Sequence, residues 1–349
     1  MFTLADVLKA AGSSSEFGSG ILFSEAVADS RQAIPASLFV AMPGENTDGH
    51  TFIDSAFKNG ARAALIEHDV DPSLPVLDLR PGGDLPAIPS GDHFCIRVEN
   101  SLITLQSLAA LRRSQLPLKV IGITGSVGKS TTKELVAEVL SQRFTTLKNL
   151  GNQNNEIGLP LTLTRLGNGH QCAVLEMGFY IPGEIAQLCA IAMPQVGIVT
   201  NVGTVHAERA GSQETIARGK AELVEALPAD GVAILNFDDP WVKAMAGKTN
   251  ANVLSYGLDP ACDLWADEIV GLGLSGITLR LHHHEHVATL HASLIGRHSV
   301  HTVLRATAAG IAMGLSWGEI QHGLTHAASQ LRLVAVHTRQ GALLLDDSY

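Results

Sequence analysis

Four short apolar runs in the middle of the chain alternate with stretches of helical period. The runs are KVIGITG (119–125), CAVLEMG (172–178), VGIVTNVG (196–203) and GVAILNFD (231–238). Strands that are apolar on both faces and alternate with helices form a parallel sheet covered by helices on both sides. The sequence therefore predicts an α/β fold with a mainly parallel central sheet. The 34 glycines among 349 residues suit the many tight turns of such a fold.

A smaller α/β region precedes this sheet. SLFVAM (37–42) and ARAALIE (61–67) are predicted strands, and the helix between them is closed by Gly60, as a glycine C-cap would do. A loop rich in Pro and Gly follows at 79–92, and a helix is predicted at 101–115. We therefore predict a first domain at 1–98 and a second domain at 99–331.

The remaining segments continue the second domain and then begin a third. Residues 252–294 alternate in polarity as strands do, and helices are predicted at 298–314 and 316–328. Residues 332–349 are predicted to form two strands.

Charge and cysteine usage exclude several classes of protein. The net charge of −10 argues against a nucleic-acid partner, which would favour a basic face. The four cysteines contain no CxxC pair, which indicates a reduced, cytoplasmic setting. No apolar run reaches 18 residues, so we expect no membrane span.

The strongest motif lies between the strand KVIGIT and the helix KSTTKELVAEVLSQRF. It comprises Gly125, Ser126, Val127, Gly128, Lys129, Ser130 and Thr131. Glycines there let backbone N–H groups point at phosphate oxygens, and the positive end of the helix favours an anion. Lys129 is predicted to neutralise the β- and γ-phosphates, and Ser130 to hold Mg²⁺. The strict pattern G-x-x-x-x-G-K-[ST] is not met, because Ile123 stands at its first glycine.

Two other patterns resemble ligand-binding sites, a dinucleotide site and a metal site, but we interpret both as structural. GLGLSG (271–276) matches the dinucleotide pattern, yet a strand follows it where a helix should begin, so we interpret it as a turn. The histidines of LHHHEH (281–286) suggest a metal, but alternate residues of a strand face opposite sides. We expect an exposed polar strand there.

Several motifs in order resemble the Mur ligases. They are DSR (29–31), LFVAMPGENTDGH (38–50), TGSVGKSTTKE (124–134), NQNNEIGLPLTL (152–163), VLEMG (174–178), TNVGTVHAERAGS (200–212) and ARGKAELVEALP (217–228). TTKE and NNEIG are similar to the family type that adds D-alanyl-D-alanine. The resemblance implies a small N-terminal UDP-binding domain and a central P-loop ATPase-like domain. It also implies ligation with ATP and Mg²⁺ through an acyl phosphate, with UDP-N-acetylmuramoyl-tripeptide and D-alanyl-D-alanine as substrates.

The resemblance also implies the site residues. Lys129, Glu176, His206 and Lys220 are the expected catalytic residues, and Ser130, Glu176, His206 and Lys220, the last once carbamylated, are the expected metal ligands. Asn155 and Asp239 join residues 125–131 as expected nucleotide contacts. Ser30, Arg31, Thr47, Asp48, His50 and Asn154 are the expected substrate contacts, with Asn46 in the same loop as Thr47.

Lys220 stands out by its position as well. Residues 213–227 projected as a helix place Lys220 in the middle of a stripe formed by Ile216, Leu223, Val224 and Leu227. A lysine in an apolar stripe is costly unless it is paired, neutralised or modified. The alternative to a buried, modified lysine is a lysine whose side chain extends until its amine reaches the surface.

The sequence departs from the family pattern in three places. Val127 stands where asparagine is usual. The motif G-R-H-N-x-x-N, near the adenine, has Ser299 and Thr302 in place of its asparagines. DDSY (346–349) resembles the start of the family's third domain, so a stub of a Rossmann-like domain and weak turnover by this chain are expected.

Three hypotheses follow. The first is a D-alanyl-D-alanine-adding ligase, expected to be a monomer. The second is a Mur ligase with another amino-acid substrate, and the third is a non-catalytic module that binds a UDP-sugar and a nucleotide.

Overall fold

The structure is a computed structural model that describes residues 1–13, 18–44, 47–80, 91–203, 212–326, 334–337 and 342–346. Its strands are β1 (Phe2–Thr3), β2 (Leu22–Phe23), β3 (Ala26–Val27), β4 (Leu38–Val40), β5 (Ala63–Ile66), β6 (Val76–Asp78), β7 (Phe94–Arg97), β8 (Lys119–Thr124), β9 (Thr146–Lys148), β10 (Cys172–Glu176), β11 (Val196–Val199), β12 (Val232–Asn236), β13 (Asn252–Gly257), β14 (Leu264–Gly271), β15 (Ile277–His283), β16 (His286–Ala292), β17 (Val334–His337) and β18 (Leu343–Asp346).

The α-helices are α1 (Leu4–Ala10), α2 (Ile53–Lys58), α3 (Ser101–Ser114), α4 (Lys129–Leu140), α5 (Gly158–Thr164), α6 (Glu184–Ala192), α7 (Gln213–Glu225), α8 (Pro240–Ala244), α9 (Val300–Ala312) and α10 (Trp317–His326). The chain forms two compact units. The first contains Met1–Pro117 and Glu156–Asn168, and the second contains Leu118–Asn155 and Gly169–Tyr349.

The first unit is built on a parallel sheet of order β3-β4-β5-β7-β6. Both faces of the sheet are buried, as its continuous apolar runs predict. Leu38 and Val40 of β4 enter one apolar cluster, whereas Phe39 between them enters another. Two 3₁₀ turns, Ser30–Gln32 and Gly49–Phe52, pack against α2.

The first unit is larger than the domain predicted at 1–98. Helix α3 packs against α1 and α5, and Leu105 and Leu108 of α3 join the apolar cluster of Leu4 and Leu38. Because α3 and α5 cover the sheet of the first unit, residues 99–117 and 156–168 lie with it rather than with the second unit. Periodicity identifies 101–115 as a helix but does not show which sheet the helix covers.

The second unit is built on a sheet of order β16-β15-β14-β13-β12-β11-β8-β10-β9 in the described part of the chain. Pairing is parallel from β9 to β14 and antiparallel across β14, β15 and β16. The predicted α/β fold with a mainly parallel sheet is thus confirmed. Ile121 and Ile123 of β8 pack in one cluster with residues of α4, while Gly122 approaches Leu223 of α7. Helices therefore cover both faces.

Both patterns interpreted as structural lie in the antiparallel part of the sheet, but the predicted exposure of the histidine strand is only partly right, since His282 and His283 are half-buried whereas His284 and His286 are exposed. The segment GLGLSG contains a 3₁₀ turn, Gly273–Ser275, that joins the antiparallel strands β14 and β15. His282 stacks on Trp265 with ring centroids 3.7 Å apart and lies 3.0 Å from Asp267. His286 stacks instead on Trp317. Among the described residues no metal-binding group of three ligands forms on this hairpin.

The last two strands form where the sequence predicts them, and the structure pairs them with each other. β17 and β18 are antiparallel, with Val334 opposite Asp346. None of the described helices is both long enough and apolar enough to span a membrane.

Candidate active site

The site is built where the order of the central sheet reverses. β8 lies between β10 and β11, and the chain places β9 beyond β10 but β12 beyond β11. The segments that follow β8, β10 and β11 therefore meet at the carboxyl edge of the sheet. Ligands of open α/β sheets bind in the crevice at such a switch point.

Two glycines give the loop after β8 its path. Gly125 has φ +146°, and a Cβ built on it would lie 1.8 Å from Thr200 Oγ1. Gly128 has φ +84° and is the left-handed N-cap of α4. The predicted strand–loop–helix context is therefore present, with the amino end of a 12-residue helix facing the loop.

The segment after β11 anchors this loop. Thr200 Oγ1 donates to Val127 O at 2.7 Å, and the Asn201 amide both donates to Val127 O and accepts from Val127 N, each at 3.0 Å. Ser126 Oγ accepts from Gly203 N at 2.9 Å. The Val127 side chain is 59 % exposed. The Ser126 hydroxyl and the Val127 amide thus already form hydrogen bonds that hold the loop in place. The nucleotide contacts predicted for both residues stay predictions.

Lys129 begins α4 and folds back over the loop. Its Nζ donates to Gly125 O at 2.9 Å, in the ring of backbone atoms that a phosphate would approach. Ser130 and Thr131 follow in the first turn and are half-buried. One cation and two hydroxyls therefore stand at the positive end of the helix, which suits a polyphosphate.

Glu176 is the last residue of β10, and it is only 3 % exposed. The Asn149 side chain accepts from Glu176 N and donates to Glu176 O, both at 3.0 Å. Asn154 Nδ2 donates to Glu176 Oε1 at 2.8 Å. Oε2 is buried without a hydrogen-bond partner among the described residues. A buried carboxylate oxygen held in this way suits a hard cation such as Mg²⁺.

Lys220 is buried in α7 with 2 % exposure, which decides against the alternative of an amine that reaches the surface. Its Nζ lies 4.9 Å from the centroid of the Phe179 ring. Burial, and secondarily the charge of Lys129, lowers the pKa of Lys220 to about 7. A neutral amine is therefore available near neutral pH, and a neutral amine is the form that can react with carbon dioxide.

The structure gives different outcomes for three further residues that the sequence predicts in the site. His206 lies outside the described residues. Asn155 is half-buried and follows Asn154, the residue that binds Glu176. Asp239 caps α8, since its Oδ1 accepts from Trp241 N, and its Oδ2 accepts from Val202 N at 2.8 Å. Both Asp239 oxygens are thus engaged within the protein, and its nucleotide contact remains a prediction.

The substrate residues predicted in the first unit lie on the two 3₁₀ turns that pack against α2. Ser30 is buried, and Arg31 is exposed and pairs with Asp29, its Nη2 lying 2.7 Å from Oδ2. The Asp29 interaction raises the pKa of Arg31. Thr47 is exposed beside the second turn, whereas Asn46 lies outside the described residues. The packing against α2 brings the two turns to one part of the unit.

Asp48 and His50 form a hydrogen-bonded group with His68. Asp48 Oδ1 lies 2.6 Å from His50 Nδ1, and Oδ2 lies 2.8 Å from His68 Nε2. Backbone and side-chain hydrogen bonds from His50 lower the pKa of Asp48 to about 2. Three ligand atoms lie within metal-binding distance of one another. However, Glu67 N donates to His50 Nε2, which places the His50 proton on Nδ1. Nδ1 thus has no lone pair for a metal, and the group is a hydrogen-bonded support for the turn.

Sequence reasoning missed several residues of the site. Asn149, Thr200 and Asn201 are polar residues in loops, and nothing in their own sequence context indicates their partners. Arg305 is different, because it lies among Val303, Leu304 and Ala306 on a helix that is buried along most of its length. A charged residue in that setting is the same signal that identified Lys220.

Comparisons with known proteins agree with this geometry. Residues 123–310 match the Mur ligase middle domain, and residues 26–113 match the Mur ligase family catalytic domain. A UDP-N-acetylmuramoyl-tripeptide–D-alanyl-D-alanine ligase of Synechocystis sp. is 36 % identical over 322 residues, which cover 92 % of this chain and 65 % of that protein. The chain therefore spans slightly less than two thirds of the length of this relative.

Solved structures agree as well. A crystal structure of MurF from Acinetobacter baumannii has a TM-score of 0.83 and 28 % identity, and the match covers all of this chain and 73 % of that one. MurF ligase from Thermotoga maritima in complex with ADP has a TM-score of 0.76 and 28 % identity, covering 94 % and 72 %. The middle-domain match alone extends over more than half of the chain, and it includes the loop, Glu176 and Lys220. This chain belongs to the Mur ligase family.

Proposed function

We propose that this chain supplies the UDP-precursor and nucleotide sites of an ATP-dependent ligase that adds D-alanyl-D-alanine to UDP-N-acetylmuramoyl-tripeptide. In the proposed reaction a carboxylate oxygen of the tripeptide attacks the γ-phosphorus of ATP, and ADP leaves. The amine of the dipeptide then attacks the acyl carbon of the resulting acyl phosphate. An amide forms as inorganic phosphate leaves and the amine loses a proton.

One observation carries the proposal: a phosphate-type loop, a buried carboxylate and a buried lysine meet at one edge of the central sheet. Lys129 lies on the loop, Glu176 ends β10 with Oε2 unpartnered among the described residues, and Lys220 packs on Phe179, three residues after Glu176. Bringing ATP and a carboxylate together opposes two negative charges. A site that joins cations to a metal-binding carboxylate is suited to offset that repulsion.

The residues of the second unit would divide the work as follows. The loop amides and Lys129 bind the phosphates and fix the γ-phosphorus in front of the attacking oxygen. Asn154 orients Glu176, since its amide already holds Oε1, and Asn155 extends this edge toward the substrates.

Mg²⁺ fits the donors that the chain offers. Glu176 Oε2, which has no hydrogen-bond partner among the described residues, and the Ser130 hydroxyl are oxygen ligands, which Mg²⁺ prefers. We propose His206 and carbamylated Lys220 for a second ion. When bound, the metal would neutralise phosphate charge as a Lewis acid. We propose the cytoplasm as the location, where ATP is available.

The first unit would bind the UDP part of the precursor. Arg31 is exposed on a 3₁₀ turn, where a guanidinium can bind a diphosphate with two parallel hydrogen bonds. Ser30, Thr47, Asp48 and His50 would complete this contact. Asp48 and His50 act there mainly by fixing the second turn, since their polar atoms are engaged with each other, with His68 and with Glu67 N.

Calorimetric titration tests the proposal. UDP-N-acetylmuramoyl-tripeptide and ATP·Mg²⁺ should each bind the wild-type chain. Lys129→Ala should weaken ATP binding about 10- to 100-fold, the loss expected for a hydrogen-bonded charge, and leave precursor binding unchanged. Lys9→Ala, in the first unit, is the matched control. Absence of precursor binding would refute the assignment of the first unit.

A non-catalytic binding module is the second candidate. Its support is that Ser299 and Thr302, which replace the asparagines of the adenine motif, are both hydrogen-bonded to residues within four positions of them. Ser299 Oγ donates to Ile295 O, and Thr302 Oγ1 accepts from Arg305. Ligand binding without any ADP formation, even when D-alanyl-D-alanine is added, would favour this module. ADP formation with another amino acid in place of the dipeptide would favour a Mur ligase of different amine specificity.

A further inference from the structure

Arg305 is a buried arginine that reaches the phosphate loop from α9. It is 4 % exposed, and its Nη2 donates to Thr302 Oγ1 at 2.8 Å, one turn earlier in the same helix. A Cβ built on Gly128 would lie 3.3 Å from Arg305 Nη2. The guanidinium therefore packs directly against the residue that caps the amino end of α4.

This guanidinium has neutral hydrogen-bond partners, the hydroxyls of Thr302 and Tyr256, but no counter-charge among the described residues. Across the described parts of the chain, no carboxylate lies within 4.0 Å of it, so it forms no ion pair there. Its Nε is buried and has no hydrogen-bond partner in the same set of residues. Arginine keeps its charge in proteins, and a buried charge without a counter-charge costs folding free energy.

A hydrogen-bonded chain connects the surroundings of Arg305 to the loop. Tyr256 is fully buried, and burial raises its pKa, whereas the charge of Arg305 and a hydrogen bond from Arg305 oppose that rise. Tyr256 OH donates to Thr200 O at 3.5 Å, and Thr200 Oγ1 donates to Val127 O at 2.7 Å. Arg305 thus contacts the loop at Gly128 and also lies beside the chain that holds Val127.

We propose that Arg305 is a positioning residue of the nucleotide site, whose buried charge is compensated by the polyphosphate that binds on the loop. The inference deepens the proposed function and rests on it. It gives α9 a part in binding the polyphosphate, in addition to the loop, Glu176 and Lys220. In the free protein the buried charge of Arg305 lowers the free energy of unfolding. In the complex the same charge attracts the polyphosphate, so it contributes to ligand affinity and not to the stability of the free fold.

Arg305→Met tests this inference, because the two effects should have opposite signs. Without ligand, the thermal unfolding midpoint of the variant should equal or exceed that of wild type. The Kd for ATP·Mg²⁺ should rise about tenfold, and the Kd for ADP·Mg²⁺ should rise less. Inorganic tripolyphosphate should lose affinity in the same proportion as ATP, since the effect concerns phosphate and not adenine. A residue that only stabilises the fold would lower the midpoint and leave all three affinities unchanged, which would overturn the inference.

Two further variants complete the experiment. Arg305→Lys keeps the charge and loses the planar fork, so it should recover most of the ATP affinity. If Arg305→Lys binds ATP as weakly as Arg305→Met, charge compensation is refuted. Arg112→Met is the matched control, because Arg112 is also buried, its Nε has no hydrogen-bond partner in the described part of the chain, and it lies in the other compact unit. It should leave nucleotide affinity unchanged.

The outcomes separate this inference from the proposed function. If wild type binds neither ATP nor tripolyphosphate, both fail together. If wild type binds both ligands and Arg305→Met binds them equally well, only the role of Arg305 fails.

Discussion

At the scale of single residues, the second unit keeps two ionisable groups, Lys220 and Glu176, out of water. Both are at most 3 % exposed, and neither forms an ion pair among the described residues. Burial of this kind lowers stability unless another group or ligand compensates it, and such groups concentrate at functional sites. For each residue we therefore predict separately how its substitution changes the stability of the fold and how it changes the reactivity or binding of the site.

Lys220→Met should stabilise the chain in a pH-dependent way. The folded-state pKa of Lys220 is about 7, below its ordinary value of 10.5, so between these pH values the unfolded chain holds a proton that the folded chain lacks. Wild-type stability therefore rises with pH in this window, relative to a variant without the amine. The pH-dependent advantage of methionine should be greatest below pH 7, at about 5 kcal/mol, and should vanish above pH 10.5. Urea unfolding at pH 6, 8 and 10 in carbon-dioxide-free buffer measures it, and an advantage independent of pH would contradict the lowered pKa.

Glu176→Gln should weaken metal-dependent binding without unfolding the protein. Glutamine keeps the shape and can still accept from Asn154, but it removes the charge at Oε2. We expect the Kd for ATP in the presence of Mg²⁺ to rise at least about tenfold, with an unfolding midpoint no lower than that of wild type. Glu222→Gln is the control, since this carboxylate accepts from backbone amides of α6. Unchanged Mg²⁺ dependence in Glu176→Gln would remove Glu176 from the metal site.

At the scale of elements, loop positions depend on polar residues that begin or end neighbouring elements. Asp239 is the clearest case, because one of its oxygens caps α8 and the other holds the segment after β11 through Val202 N. Asn149 acts similarly when it fixes the end of β10. Each of these residues fixes the position of one element relative to its neighbour through hydrogen bonds.

Asp239→Asn tests whether this residue is an anchor or a nucleotide contact. Asparagine can still cap α8 through its oxygen, but its amide nitrogen cannot accept from Val202 N. We expect a loss of about 1–2 kcal/mol in the free energy of unfolding and less than a tenfold change in ATP affinity. A large loss of ATP affinity at unchanged stability would instead establish the direct contact that the family resemblance implies.

At the scale of the whole molecule, the proposed ligands belong to different compact units. The loop and α4 lie in the second unit, and the turns with Ser30 and Asp48 lie in the first. Two ligands should then protect two separate sets of backbone amides.

Hydrogen exchange with mass spectrometry measures this separation. ATP·Mg²⁺ should slow exchange most strongly at 125–131, and UDP-N-acetylmuramoyl-tripeptide most strongly at 29–31 and 48–50. Lys129→Ala should abolish the first protection and keep the second. Protection of 29–31 by ATP alone would contradict the assignment of ligands to units.

Much of the fold follows from local sequence. The run 119–140 combines an apolar strand, a glycine-containing turn and an amphipathic helix, and the structure contains all three. The projection of 213–227 as a helix places Lys220 in an apolar stripe, and α7 confirms the helix and the buried stripe. These features depend on neighbours within one or two turns of chain, so periodicity is sufficient to identify them.

The sequence by itself determined the α/β class, the loop and the identity of the buried lysine, because each is written in residues that are close in the chain. Only the tertiary structure decided that α3 and α5 cover the first unit, that Asn149 holds Glu176, and that Arg305 packs against Gly128. Those contacts join residues 27 to 177 positions apart, counted from Asn149 to Glu176 and from Gly128 to Arg305. The physical reason is that they depend on the order of strands in the sheet and on which face each helix covers, and hydrophobic burial specifies neither from local pattern alone.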